Sequence, residues 1–85
     1  MEIPNYYYLH EVNKHNKHND CWIVINNNIY DITDFINIHP GGKNVLLKNA
    51  GKDVTEEFEL IHNTDVIHKY IKNNFIGILN KLSKI

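Results

Sequence analysis

The chain has 85 residues with nine lysines, no arginine, ten acids and one cysteine, giving a net charge of −1. That length suits one domain, residues 1–85, and a near-neutral surface without arginine argues against a reader of nucleic-acid phosphates or guanine edges. A lone Cys21 rules out an intrachain disulfide, no run of about 18 apolar residues is present, and the N-terminus lacks the apolar stretch of a signal peptide.

In chain order, "YYYL" (6–9) reads as a short strand, and "HEVNKHN" (10–16) as a short polar helix with Leu9 and Val12 turned inward. "CWIVI" (21–25) and "IYDI" (29–32) are rich in β-branched and aromatic residues. The asparagines between them tolerate positive φ, so the pair predicts a hairpin. Cys21 falls at an inward strand position beside Trp22. Thr33 is placed to cap a short helix through Ile38, stopped by His39-Pro40. The stretch "KNVLLKNAG" predicts a helix ended by Gly51. Asp53 opens "VTEEFELIH", whose acids sit in the first turn, where the helix dipole favours them. Thr64 or Asp65 starts a helix over "VIHKYIKNN", and "FIGIL" (75–79) is a final strand. The expected class is therefore α+β, a small mixed sheet with short helices.

Six histidines raise the question of a metal. His10, His15 and His18 keep company with Asn and Lys and read as solvated side chains, and His68 reads as exposed. His39 and His62 differ. His39 follows "FINI" and precedes Pro40-Gly41-Gly42, a sharp turn whose glycines let another body approach the backbone. His62 follows Phe58 by four residues, so ring and imidazole share a helix face. Phe35, Val45, Leu46, Phe58 and Ile61 could wall an apolar slot beside them. Spacing alone leaves two readings open: ordinary partly buried histidines, or the two axial ligands of a haem iron. A zinc site, which ordinarily takes four protein ligands, fits less well. Without a C-x-x-C-H motif, covalent c-type attachment is excluded.

The motifs "DCWIVI", "IYDITDF", "HPGG" and "AGKDVTEEF", followed by the second histidine, resemble cytochrome b5 in content and order. The spacing of three residues between Phe58 and His62 is most similar to the cytochrome b5-like domain of flavocytochrome b2. The resemblance implies one non-covalent b-type haem with His39 and His62 as axial ligands. Phe35, Pro40, Gly41, Val45, Leu46, Phe58 and Ile61 would line its pocket, with Ile25 and Ile32 as further aliphatic contacts. Asn63 and Tyr70 would bond a propionate, and Trp22 would be structural, in the core away from the haem.

Two imidazoles fill both axial positions, which implies one-electron transfer rather than catalysis at iron. The implied function is an electron carrier, not itself an enzyme and monomeric, working between a flavoprotein reductase and a haem or non-haem iron acceptor such as an oxygenase or desaturase. The resemblance implies the cytoplasmic side, with room for a tail beyond Ile85 that would anchor it to the endoplasmic reticulum membrane. A haem- or steroid-type binding module without redox duty, and a domain of a larger flavocytochrome, are the competing readings. Lys43, Asn44, Lys48 and Asn49 stand where the microsomal pattern carries acids, so half of the usual acidic docking ring is missing.

Overall fold

The computed structural model describes residues 5–38, 43–61 and 67–81. In chain order the elements are β1 (Tyr6–Tyr7), α1 (Leu9–Val12), β2 (Asn16–Lys17), β3 (Asp20–Ile25), β4 (Asn28–Asp31) and a 3₁₀ helix (Thr33–Ile38). There follow α2 (Lys43–Lys48), β5 (Lys52–Asp53), α3 (Thr55–Ile61), a π-helical turn (Ile67–Ile71), a 3₁₀ turn (Lys72–Asn74) and β6 (Phe75–Leu79). The sheet runs β1-β6-β4-β3-β2, with β5 also on β3. It is mixed, because β1–β6 and β3–β5 are parallel and the other pairs antiparallel. The α+β expectation stands.

The β3–β4 hairpin forms for the reason its sequence suggests. Ile25 pairs with Asn28, and the two residues between them, Asn26 and Asn27, have φ of 51° and 68°. Two positive φ values define a type I′ turn, whose twist matches that of the flanking strands. Gly51 has φ of +73°, and a Cβ there would meet the Asn16 side chain at 3.0 Å and the Asn13 carbonyl at 3.1 Å. Its N–H donates to the Trp22 carbonyl at 2.6 Å, so the turn after α2 is bound directly to the sheet.

The sheet separates two apolar clusters. One gathers Cys21, Ile23, Ile25, Tyr30, Ile32, Ile36, Ala50, Val54 and Ile71, with Phe35, Leu46, Leu47 and Phe58 half-buried against it. The other gathers Val12, Val24, Ile29 and Leu79, under Tyr7, Trp22 and Ile76. Tyr7 meets Trp22 edge-on at 5.1 Å. Trp22 therefore packs where the sequence placed it.

Three expectations are corrected. Leu9 does not turn inward: it is 43% exposed, and the inward residue of α1 is Val12. The first strand stops at Tyr7 and the first helix at Val12, since a helix with one buried side chain has little tertiary support for more turns. Over the described part of "VIHKYIKNN", the chain forms a π turn and a 3₁₀ turn in place of a regular α-helix.

Candidate functional site

Two helical arms, one after β4 and one after β5, are each tied to the β3 segment by the same device. In the first, the Asp31 carboxylate accepts from Thr33 N–H at 3.0 Å and from the Thr33 hydroxyl at 2.6 Å. The Thr33 hydroxyl oxygen in turn accepts from the Cys21 N–H at 2.9 Å, near the start of β3. In the second, the Asp53 carboxylate accepts from Thr55 N–H at 3.1 Å and from the Thr55 hydroxyl at 2.6 Å. The Thr55 hydroxyl oxygen accepts from the Asn26 N–H at 2.8 Å, just past the end of β3. Thr33 thus acts differently from a simple helix cap: Asp31 caps it, and its own hydroxyl is spent on β3. Asp53 opens α3 as its position suggested.

The first arm, Thr33–Ile38, ends one residue before His39; the second, Thr55–Ile61, ends one residue before His62. His39, Pro40, Gly41, His62 and Asn63 lie outside the described residues, as does the side chain of Ile61, which closes α3. Phe35 from the first arm, Leu46 and Leu47 from α2, and Phe58 from α3 are the half-buried apolar walls of this side of the sheet. All four lean on the first cluster. Val45, expected as a wall residue, is 48% exposed on α2. Tyr70, in the π turn, is 50% exposed and tilts against Phe35 with ring centroids 6.4 Å apart, and the Lys69 ammonium lies 5.4 Å from the Tyr70 ring centre. Ile25 and Ile32 are fully buried beneath the walls and form their floor.

The half-buried apolar side chains present suit a flat apolar ring system. Among the described residues no group of three His, Cys, Asp or Glu side chains could hold a bare metal ion. Cys21 does not compete as a ligand. It is fully buried, and burial, with the charges of Asp31 and then Asp20, pushes its thiol up to about 11, so the thiolate needed for coordination does not form at neutral pH. A separate open depression lined by Asn26, Asn27, Asp53, Thr55, Glu56, Glu57 and Lys81 is polar and suits no apolar group.

Two features escaped the sequence reading. His15 is not a merely solvated histidine: its ring lies on the Trp22 indole at 3.5 Å and 4°, and its Nδ1 is 2.6 Å from Asp20 Oδ1. The paired use of Thr33 and Thr55 was also missed. Its signal was in view as "DIT" and "DVT", two Asp-x-Thr triplets each followed by a short helical stretch and a histidine.

Comparison with known proteins agrees with this geometry. Residues 8–80 match the family model described as the cytochrome b5-like heme/steroid binding domain. Cytochrome b5 isoform E of Arabidopsis thaliana is 44% identical over 73 residues, covering 86% of this chain and 54% of that protein. L-lactate dehydrogenase (cytochrome) of Saccharomyces cerevisiae is 59% identical over 61 residues, 72% of this chain but 10% of that protein. The chain thus spans about half the length of the one relative and a tenth of the other. The solved cytochrome b5 of Ostreococcus tauri virus 2 superposes with a TM-score of 0.82 at 43% identity, covering 87% of this chain and 95% of that one. With its sheet, its two arms and its sequence from residue 8 to residue 80 all matching, the chain belongs to the cytochrome b5-like haem/steroid-binding domain family.

Proposed function

We propose that this protein is a haem-binding electron carrier in which His39 and His62 are the axial ligands of one non-covalent b-type haem. The observation that carries the reading is the family match over residues 8–80, which includes both arms and both histidines. When bound, the haem supplies a one-electron couple at iron. The chain's own residues supply the rest. Two neutral imidazoles occupy both axial positions and leave no site for a substrate, which limits the chemistry to electron transfer. Phe35, Leu46, Leu47 and Phe58 provide apolar walls that exclude water. Asn63 and Tyr70 are the candidates to hold a propionate. Pro40, Gly41, Val45 and Ile61 are the further candidates to line the pocket.

In this reading residues 1–85 act as one monomeric unit on the cytoplasmic side. Electrons arrive from a flavoprotein reductase and leave to a haem or non-haem iron acceptor. The 59% identity to part of L-lactate dehydrogenase (cytochrome) favours a second arrangement, in which the same unit serves as the haem domain of a larger flavin enzyme. The ligand chemistry is the same in both. Absorption spectra of the purified protein test it. A six-coordinate low-spin spectrum is expected, oxidised and reduced, with His39→Ala and His62→Ala each losing that signature and retaining haem poorly. Wild-type spectra from both variants would refute the ligand assignment.

A further inference from the structure

We infer that the two Asp-x-Thr clips, Asp31–Thr33 and Asp53–Thr55, are positioning elements that use strand β3 as a common ruler to set the two histidines against each other. The inference rests on the reading of His39 and His62 as an axial pair and adds to it the groups that aim them.

The clips are alike in chemistry. In each, the threonine hydroxyl gives its hydrogen to the aspartate at 2.6 Å and takes one from a backbone N–H of the β3 segment, Cys21 at 2.9 Å or Asn26 at 2.8 Å. A hydroxyl donates and accepts through a single oxygen, and valine can do neither. Serine would preserve the clip, while valine, similar in shape, would delete both bonds. The anchor points are separated by five residues of extended chain, about 17 Å. From them the arms have nearly the same reach. Six residues of 3₁₀ helix rise about 12 Å and seven residues of α-helix about 10 Å. The one-residue difference between the arms is therefore largely offset by the change of helix type, and the two helical parts are similar in length.

The clips also differ, and the difference ranks them. The Thr33 bonds are partly buried, the Thr55 bonds exposed. Water can replace a lost bond at Asn26 N–H, but not readily at Cys21 N–H beside a fully buried side chain. The arm before His39 is thus the stiffer one, and the arm before His62 gives first.

The test uses the haem-loaded protein and reads ligand orientation rather than stability alone. Electron paramagnetic resonance of the ferric form reports the relative orientation of the imidazole planes, and transfer to excess apomyoglobin reports haem loss. Thr55→Val is expected to shift the ferric g-values and speed haem loss roughly threefold to tenfold, because both lost bonds are exposed and water replaces part of them. Thr33→Val is expected to do the same more strongly. Thr33→Ser and Thr55→Ser should restore wild-type g-values. If Thr33→Val does not fold, Thr55→Val and Asp53→Ala, at the exposed clip, carry the test. Valine variants that are less stable yet keep wild-type g-values and haem loss would overturn the inference and leave the clips merely structural. A wild-type protein lacking a bis-imidazole signature would overturn the axial reading itself, a result recognisable before any variant is made.

Discussion

The two sides of the sheet solve the same problem in different ways. On the side of Trp22, four buried aliphatic residues are closed over by the chain's own aromatics, with Tyr7 edge-on to the indole and His15 flat upon it. On the arm side, a larger cluster of nine buried residues ends outward in Phe35, Leu46, Leu47 and Phe58, each half-buried. One side is finished by protein. The other presents apolar walls carried on short helices, which have little stability of their own without packing. In the proposed reading the prosthetic group completes the arm side, whereas the Trp22 side is a foundation independent of it.

Haem removal should break the symmetry most. A group that binds only the folded state stabilises it by about 4 kcal/mol at a thousandfold excess over its dissociation constant. The apoprotein should lose hydrogen-exchange protection in α2, α3 and the π turn, while β3, β4 and β6 around Trp22 keep theirs. Equal protection in the two forms would erase the proposed distinction.

A cavity on the foundation side should cost nearly as much, but in a different currency. Ile29 is fully buried, and Ile29→Ala should lower unfolding free energy by about 2–5 kcal/mol in denaturant titrations. The haem spectrum of the folded fraction should stay unchanged.

The alkaline limb comes next. Cys21 keeps its proton in the fold up to about 11 against an ordinary value of 9.0, and burial raises Tyr30 in the same sense, partly opposed by its bond to Asn28. The unfolded chain releases those protons first. Stability is therefore full below pH 9 and falls as pH rises toward 11. Denaturation midpoints across that range should fall less steeply in Cys21→Ala, once its lower overall stability is subtracted.

The smallest effect belongs to His15. His15→Ala removes a stacked ring and the contact with Asp20, both partly exposed, and should cost about 1 kcal/mol. Haem affinity, measured in parallel, should not change, because the contact lies on the finished side.

Much of this architecture was legible because it depends on local chemistry. Asn26-Asn27 announced a turn with two positive φ values, Gly51 a left-handed stop, and the β-branched and aromatic run from Cys21 a strand. The wall residues Phe35, Leu46 and Phe58 were legible as apolar positions on short helices and by resemblance. Leu9 was misjudged because two apolar residues in a four-residue helix set no periodicity to orient it. His15 was misjudged because its neighbours in sequence are polar, while its real neighbour, Trp22, is brought across by β2 pairing with β3. The threonine clips were missed for a similar reason. A hydroxyl that reaches an amide many residues away leaves no period in the sequence. The placement of His39 and His62 lies outside the described residues.

The parallel pairing of β1 with β6 has an architectural consequence. Asn5 accepts from Ile78 N–H at 2.8 Å and Tyr7 accepts from Asn80 N–H at 2.7 Å, so polypeptide runs into and out of the unit side by side. They fit closely because residue 77 is glycine: a Cβ there would come within 2.7 Å of the Asn5 carbonyl and 2.8 Å of the Tyr7 ring. This seam, β1 on β6, lies at one edge of the sheet, with β4 between it and β3. A host sequence spliced on at this seam would pull on β1 and β6 and leave the strand that anchors both arms untouched.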